Sequence, residues 1–142
     1  MRDIDLITGD VLDVAIRLHR ELGPGLLESA YEGILAARLA SMGYRVARQY
    51  PVGIDFEDVR VDVAFRVDLF VEERLEVEVK SIERLAPVHS KQLLTYLRLL
   101  KLPVGLLINF GGATLKEGVK RVVNNYTPSA LSASLREQYT GE

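Results

Sequence analysis

The alternation between Phe65 and Lys80, FRVDLFVEERLEVEVK, constrains this chain more than any other stretch. Val67, Leu69 and Val71 alternate with Arg66, Asp68 and Phe70, and Leu75, Val77 and Val79 alternate with Glu76, Glu78 and Lys80. A period of two belongs to a strand rather than a helix, so the stretch predicts two short strands joined by a tight polar connection. Asp68 then projects from the first strand, while Glu78 and Lys80 share one face of the second. Paired as neighbours, the two strands gather two carboxylates and an ammonium group at one place.

That gathering has two readings. Hard cations such as Mg²⁺ take oxygen ligands, usually one or two carboxylates with waters and substrate phosphate. Asp68 and Glu78 would supply the oxygens, and Lys80 would orient or deprotonate a water or steady charge on a phosphate. The same alternation fits an antiparallel hairpin with a salt-bridged solvent face. These residues alone leave both open.

Composition narrows the class. A chain of 142 residues is the length of one domain and can bury a core of its own. Its residues are 48% hydrophobic and 27% charged, which argues against disorder. The formal charge of −2 gives no overall bias toward nucleic acid or an anionic membrane, so any phosphate-binding surface would have to be local. The absence of cysteine excludes disulfides, thiolate metal sites and a Cys nucleophile. The acidic start MRDIDLITGD lacks the basic opening and apolar run of a signal peptide, and no stretch approaches a membrane span, so a cytoplasmic protein is expected.

Helical spacing of Val11, Val14, Ala15, Leu18 and Leu22 predicts a helix from Leu6 to Leu22, capped by Asp10 or Thr8 and stopped at Gly23-Pro24-Gly25. A second helix follows from about Leu26 to Met42, with Gly43 as its C-terminal cap. Its apolar face is read as Leu27, Ala30, Tyr31, Ile34, Leu35, Ala37 and Leu39, with Glu28, Glu32 and Arg38 elsewhere. Glu28 falls in the first turn, where the helix dipole favours a carboxylate. Strands are expected at Tyr44–Tyr50, less regularly through Phe56, and from Val59 after a Glu57-Asp58 turn. Whether Val59–Val71 is one strand or two stays open. Beyond a Ser81–Ala86 loop, Pro87 suits the first turn of a helix reaching Leu100, with His89, Gln92 and Tyr96 on one face. The unbroken apolar run Val104–Asn109 suits a strand covered on both sides. Leu115–Val123 is ambiguous between helix and strand, and Leu131–Tyr139 reads as a marginal terminal helix.

The order helix, strands, helix, strand, with an acid on an early helix, Asp then E-x-K on adjacent strands and Q-x-x-x-Y on the next helix, resembles the PD-(D/E)XK nuclease superfamily. More narrowly, Gly25-Leu-Leu-Glu28-Ser-Ala-Tyr31 resembles the signature of the GxxExxY family within it, as do RVDLFVEERLEVEVKSIE, HSKQLLTYLRLL and GLLINFG. The resemblance covers about Leu6 to Asn124. It implies an α/β, restriction-endonuclease-like fold in αβββαβ order, a central mixed sheet flanked by helices. It also implies a single domain over residues 1–142, with a core at about 6–124 and a tail at 125–142.

The resemblance further implies that Glu28, Asp68, Glu78 and the Val79 main-chain carbonyl hold Mg²⁺, with Mn²⁺ as a substitute, and that Lys80 is catalytic beside the three acids. Gln92 and Tyr96 fall on its Q-x-x-x-Y element, which helps hold the active site and the nucleic-acid strand. His89 would contact a carboxylate or phosphate, or be solvated; Tyr31 would pack and donate a hydrogen bond. Glu76 would sit at the rim. Val67 stands where the superfamily's name puts a proline. The implied activity is phosphodiester hydrolysis in nucleic acid, DNA before RNA. The alternative is a weak or inactive nuclease-fold module that binds nucleic acid or protein. Lys91, Arg98, Lys101, Lys116, Lys120 and Arg121 are candidates for a basic patch, and a homodimer or partner protein could supply further surface.

Overall fold

The computed structural model describes residues 2–125, so the expected terminal helix at Leu131–Tyr139 lies outside the described residues. The first helix, α1 (Ile4–Leu22), starts earlier than its apolar spacing suggested. Asp3 is its cap: the carboxylate accepts the Asp5 N–H at 3.3 Å. Thr8 and Asp10, the caps read from the sequence, lie inside the helix instead. Thr8 bonds back to the Ile4 carbonyl, and Asp10 accepts the Tyr44 hydroxyl. Ile7, Val11, Val14, Ala15 and Leu18 form the buried stripe. Gly23, at φ +69°, turns the chain out of the helix in a conformation that disfavours a side chain.

The second helix, α2 (Glu28–Ser41), buries Tyr31, Leu35, Ala36 and Leu39. It also buries Glu32, placed off the apolar face by its sequence, whereas Leu27 is 77% exposed and Ile34 37%. The inward stripe is narrower than the run of apolar residues implied, and Glu32 is drawn in by partners on the next strand. Gly43, at φ +94°, supplies the expected C-terminal turn.

Five strands make one sheet in the order β1-β2-β3-β4-β5. They are β1 (Val46–Phe56), β2 (Val59–Val71), β3 (Leu75–Lys80), β4 (Val104–Asn109) and β5 (Val119–Val123). Val59–Val71 is thus one strand, paired with β1 from Phe56↔Val59 to Val46↔Val71, with a register shift between Val52 and Ile54. The ambiguous segment resolves into a short 3-10 turn at Lys116–Gly118 followed by β5. β3 and β4 are parallel and joined by the crossover helix α3 (Pro87–Leu100); the other pairs are antiparallel.

Alternation then sorts the sheet into two faces. Leu69, Val71, Leu75, Val77, Val79, Leu106 and Ile108 pack with α1 and α2 in the larger core, while Leu107 packs with Leu93 and Leu97 of α3. Gly105 lets α3 sit close, since a Cβ there would meet both leucine side chains at 3.2 Å. The result is a mixed α/β fold with the sheet between helices, as expected. No helix among the described residues is long and apolar enough to cross a membrane.

Candidate functional site

The site forms where β2 and β3 part. Their pairing runs Val71↔Leu75, Phe70↔Glu76 and Leu69↔Val77, and continuing that register by one residue sets Asp68 beside Glu78. There the Asp68 side chain replaces a strand partner: Oδ2 accepts the Val79 N–H at 2.9 Å. Buried amides need such partners, so this bond fixes the carboxylate at the fork. Its other oxygen, Oδ1, accepts the Gln49 side-chain amide at 3.0 Å.

Glu76 and Glu78 lie on the α3 side of β3, since Val77 and Val79 face the larger core. Glu76 is 0% exposed and Glu78 6%. Glu76 is therefore no rim residue: β4 and α3 cover it, and both its oxygens are buried without a hydrogen-bond donor, as is Glu78 Oε1. Glu76 and Glu78 lie two residues apart on that face, and the strand register sets Asp68 beside Glu78, so the three acids form a row. Burial is the main force raising the Glu78 carboxyl far above its usual range, with the negative charges of Asp68 and Glu76 adding to it. Burial likewise pushes Glu76 up to about 8.

Glu28 reaches the same region from α2. Its Oε1 accepts the Ser81 N–H at 3.2 Å, and Ser81 Oγ donates to the Leu26 carbonyl at 2.7 Å, so the residue after Lys80 is tied to the start of α2. Asn109 fixes the next residue, accepting the Ile82 N–H at 3.0 Å and donating to the Ile82 carbonyl at 2.9 Å. Gly111 passes so near that a Cβ would lie 2.0 Å from the Ile82 carbonyl oxygen. Glu28, Glu32, Gln49, Asp68 and Ser81 line one cleft of about 630 Å³. Among the described residues, no three His, Asp or Glu side chains close around a single point as a ready cation cage. Glu28 and Asp68 open on the cleft, while Glu78 is turned toward α3.

Lys80 is partly exposed, level with Asn109 on β4, and none of the ion pairs among the described residues involves it. The Tyr96 ring stacks on Phe65 at 3.9 Å; burial raises its phenol, and Glu78, Glu76 and Asp68 push the same way, which places Tyr96 beside the acids. Gln92 is exposed on α3. His89 has a local task, its Nδ1 accepting the Ala86 N–H at 2.9 Å at the helix start. Tyr31 is fully buried, stacked on Phe110 at 4.4 Å, and its hydroxyl donates to the Gly23 carbonyl while accepting the Leu26 N–H, so it pins the turn ahead of Glu28.

The six basic residues do not form one patch. Arg121 lies level with Leu106 and pairs with Asp5 of α1 at 3.3 Å, and Lys116 lines a larger, mostly apolar cavity beside Leu12 and Ile16 of α1. Both therefore sit on the α1 side, across the sheet from Lys91 and Arg98 on α3.

Gln49, Glu32, Ser81 and Asn109 are site neighbours that sequence reading missed. One carried a signal, the asparagine ending the apolar run of β4; Glu32 read only as a polar residue off the apolar face of α2. Gln49 and Ser81 carried none.

Neither the curated proteins nor the solved structures compared with this chain gave a match. Over residues 5–122 the chain matches the family model of the PD-(D/E)XK nuclease superfamily, and with the sheet order and the forked-strand acids already described, it belongs to that superfamily.

Proposed function

We propose that this chain is a metal-dependent nuclease that hydrolyses phosphodiester bonds, in DNA before RNA, and that Gly25–Tyr31 places it in the GxxExxY branch of its superfamily. One observation carries the reading: Asp68, fixed on the Val79 N–H, stands beside Glu78 at a strand fork next to the Glu28 cleft, and Glu78 keeps a buried oxygen with no donor. Buried carboxylates are costly unless a donor, proton or cation meets them. The donor set is all oxygen, which fits Mg²⁺ or Mn²⁺ rather than a soft metal. Glu28, Asp68, Glu78 and the Val79 carbonyl would hold it, and when bound it supplies an acidified water and neutralises charge on the scissile phosphate.

The chain's own groups do the rest. Val79 N–H and Gln49 hold Asp68 in place. The Ser81 N–H holds Glu28 at the mouth of the cleft. Lys80 presents its ammonium to orient the attacking water, and Tyr96 and Gln92 on α3 meet the strand, with His89 shaping the start of that helix.

Calorimetric titration with Mn²⁺ tests this. Wild type should show saturable binding that Asp68→Asn and Glu78→Gln abolish while circular dichroism shows both still folded. Lys80→Ala should keep the binding yet lose cleavage of an oligonucleotide by about 10²-fold or more. A folded wild type that binds no Mn²⁺, alone or with a non-cleavable oligonucleotide, would overturn the reading. It would favour the alternative of a binding module, which the formal charge of −2 and the divided basic residues already suit. On either reading a second copy or a partner protein is the natural source of further phosphate-binding surface.

A further inference from the structure

Gln49 has the most unusual backbone near the site. It lies within β1, where φ should be strongly negative, yet its φ is +50°. Outside glycine this left-handed region is favoured mainly by Asn and Asp, and holding a glutamine there stores strain. The flanking pairs Arg48↔Leu69 and Tyr50↔Val67 are intact, so the break is confined to the one position that faces Asp68.

The side chain accounts for the break. Gln49 Nε2 donates to Asp68 Oδ1 at 3.0 Å and to Glu32 at 3.0 Å and 3.2 Å. An amide nitrogen has two N–H groups, and here each meets a carboxylate. Glu32 is 4% exposed and anchored by Arg48 Nε at 3.3 Å, so the far end of the link does not move freely. Arg48–Glu32–Gln49–Asp68 is one chain of bonds from α2 and β1 to the strand fork. An amide carries no charge and does not titrate, so it can bridge two acids that would otherwise repel.

We propose that Gln49 is a positioning residue: its left-handed backbone aims an amide that ties the Asp68 carboxylate to the buried Glu32–Arg48 pair. In terms of cation binding this rests on the metal reading above, but the tie itself does not. Strain kept at one residue beside a functional acid is a trade of stability for geometry. Partners that orient a metal ligand typically change metal affinity about 10–100-fold when removed.

Three variants separate the terms. Gln49→Gly relieves the backbone and removes the amide; Gln49→Asn tolerates the left-handed backbone but is too short to span both acids; Asp68→Ala removes the far partner. In the metal-free protein, denaturant unfolding of Gln49→Asn, Asp68→Ala and the double variant should be clearly non-additive, because residues in one hydrogen-bond network couple. In Mn²⁺ calorimetry, Gln49→Gly and Gln49→Asn should each bind at least tenfold more weakly than wild type. The Gly variant should unfold at the same temperature as wild type or higher. Additive unfolding energies would overturn the tie. Wild-type affinity in the Gly and Asn variants would overturn the positioning role. If unfolding is non-additive but wild type binds no Mn²⁺, the tie stands and the metal reading fails.

Discussion

Among the described residues, Glu76 and Glu78 are the carboxyls that burial raises. Both carboxyls titrate above their ordinary range, chiefly because burial disfavours the charged form. A carboxyl raised in the folded state binds a proton that the unfolded chain has released, so stability is complete below the unfolded value and is lost as pH climbs through the folded one. For Glu76 that window runs from the ordinary carboxyl value of 4.5 to about 8. The metal-free protein should therefore melt at a higher temperature near pH 5 than near pH 8, Glu76 alone contributing on the order of 3 kcal/mol of stability over that range. Added Mn²⁺ should flatten the slope, because a cation replaces the protons. Glu76→Leu, which removes two oxygens that have no donor, should raise the melting temperature at pH 8 and leave only the slope due to Glu78. Thermal scans across pH, with and without Mn²⁺, check all three; a melting temperature that rises toward pH 8 would contradict the raised titration of these buried acids.

Two elements behave differently under stress. β4 is buried along its whole length, and Asn109 at its end clamps Ile82 through two hydrogen bonds and accepts the Gly111 N–H in a third. Asn109→Ala would leave buried backbone groups without partners and should destabilise the protein by about 2–3 kcal/mol, read from denaturant unfolding. The far end of the β1–β2 hairpin has no such cover: Phe56 is 69% exposed, Val59 56% and Val63 45%. Its amides should exchange with deuterium far faster than those of Val104–Asn109, which hydrogen-exchange mass spectrometry would resolve. The same contrast explains what could be read in advance. β4, β3 and the lower half of β2 announce themselves because covered strands and half-covered strands have distinct apolar periods. The start of α1 did not, because Asp3 acts through a cap ahead of the apolar pattern. Asp68 and Glu78 were legible as neighbours because their spacing is local to one hairpin. Burial of Glu76 was not, since it depends on α3 and β4, and neither was Gln49, whose role needs a left-handed residue in one strand, an acid on another and a third partner on a helix.

At the scale of the whole molecule, the sheet divides the cations as well as the cores. Lys91, Arg98 and Lys101 belong to α3 and its cap, and Lys120 lies level with Leu107 on the same side, whereas Lys116 and Arg121 face α1. A nucleic-acid strand entering over α3 toward Asp68 could meet four of these six but not the others. Each phosphate neutralised on duplex DNA contributes about −0.9 to the slope of log K against log salt, so four contacts give roughly −3.6 and six roughly −5.4. Binding of wild type to a non-cleavable phosphorothioate duplex, followed by fluorescence anisotropy from low to physiological salt, should give the shallower slope. Lys91→Ala or Arg98→Ala should reduce it by about one unit each, while Arg121→Ala should leave it unchanged, because that guanidinium is engaged with Asp5 on the opposite face. A slope near the steeper value, or one that Arg121→Ala lowers, would mean that the strand wraps the edge of the sheet at β5 and approaches the forked acids from the α1 side.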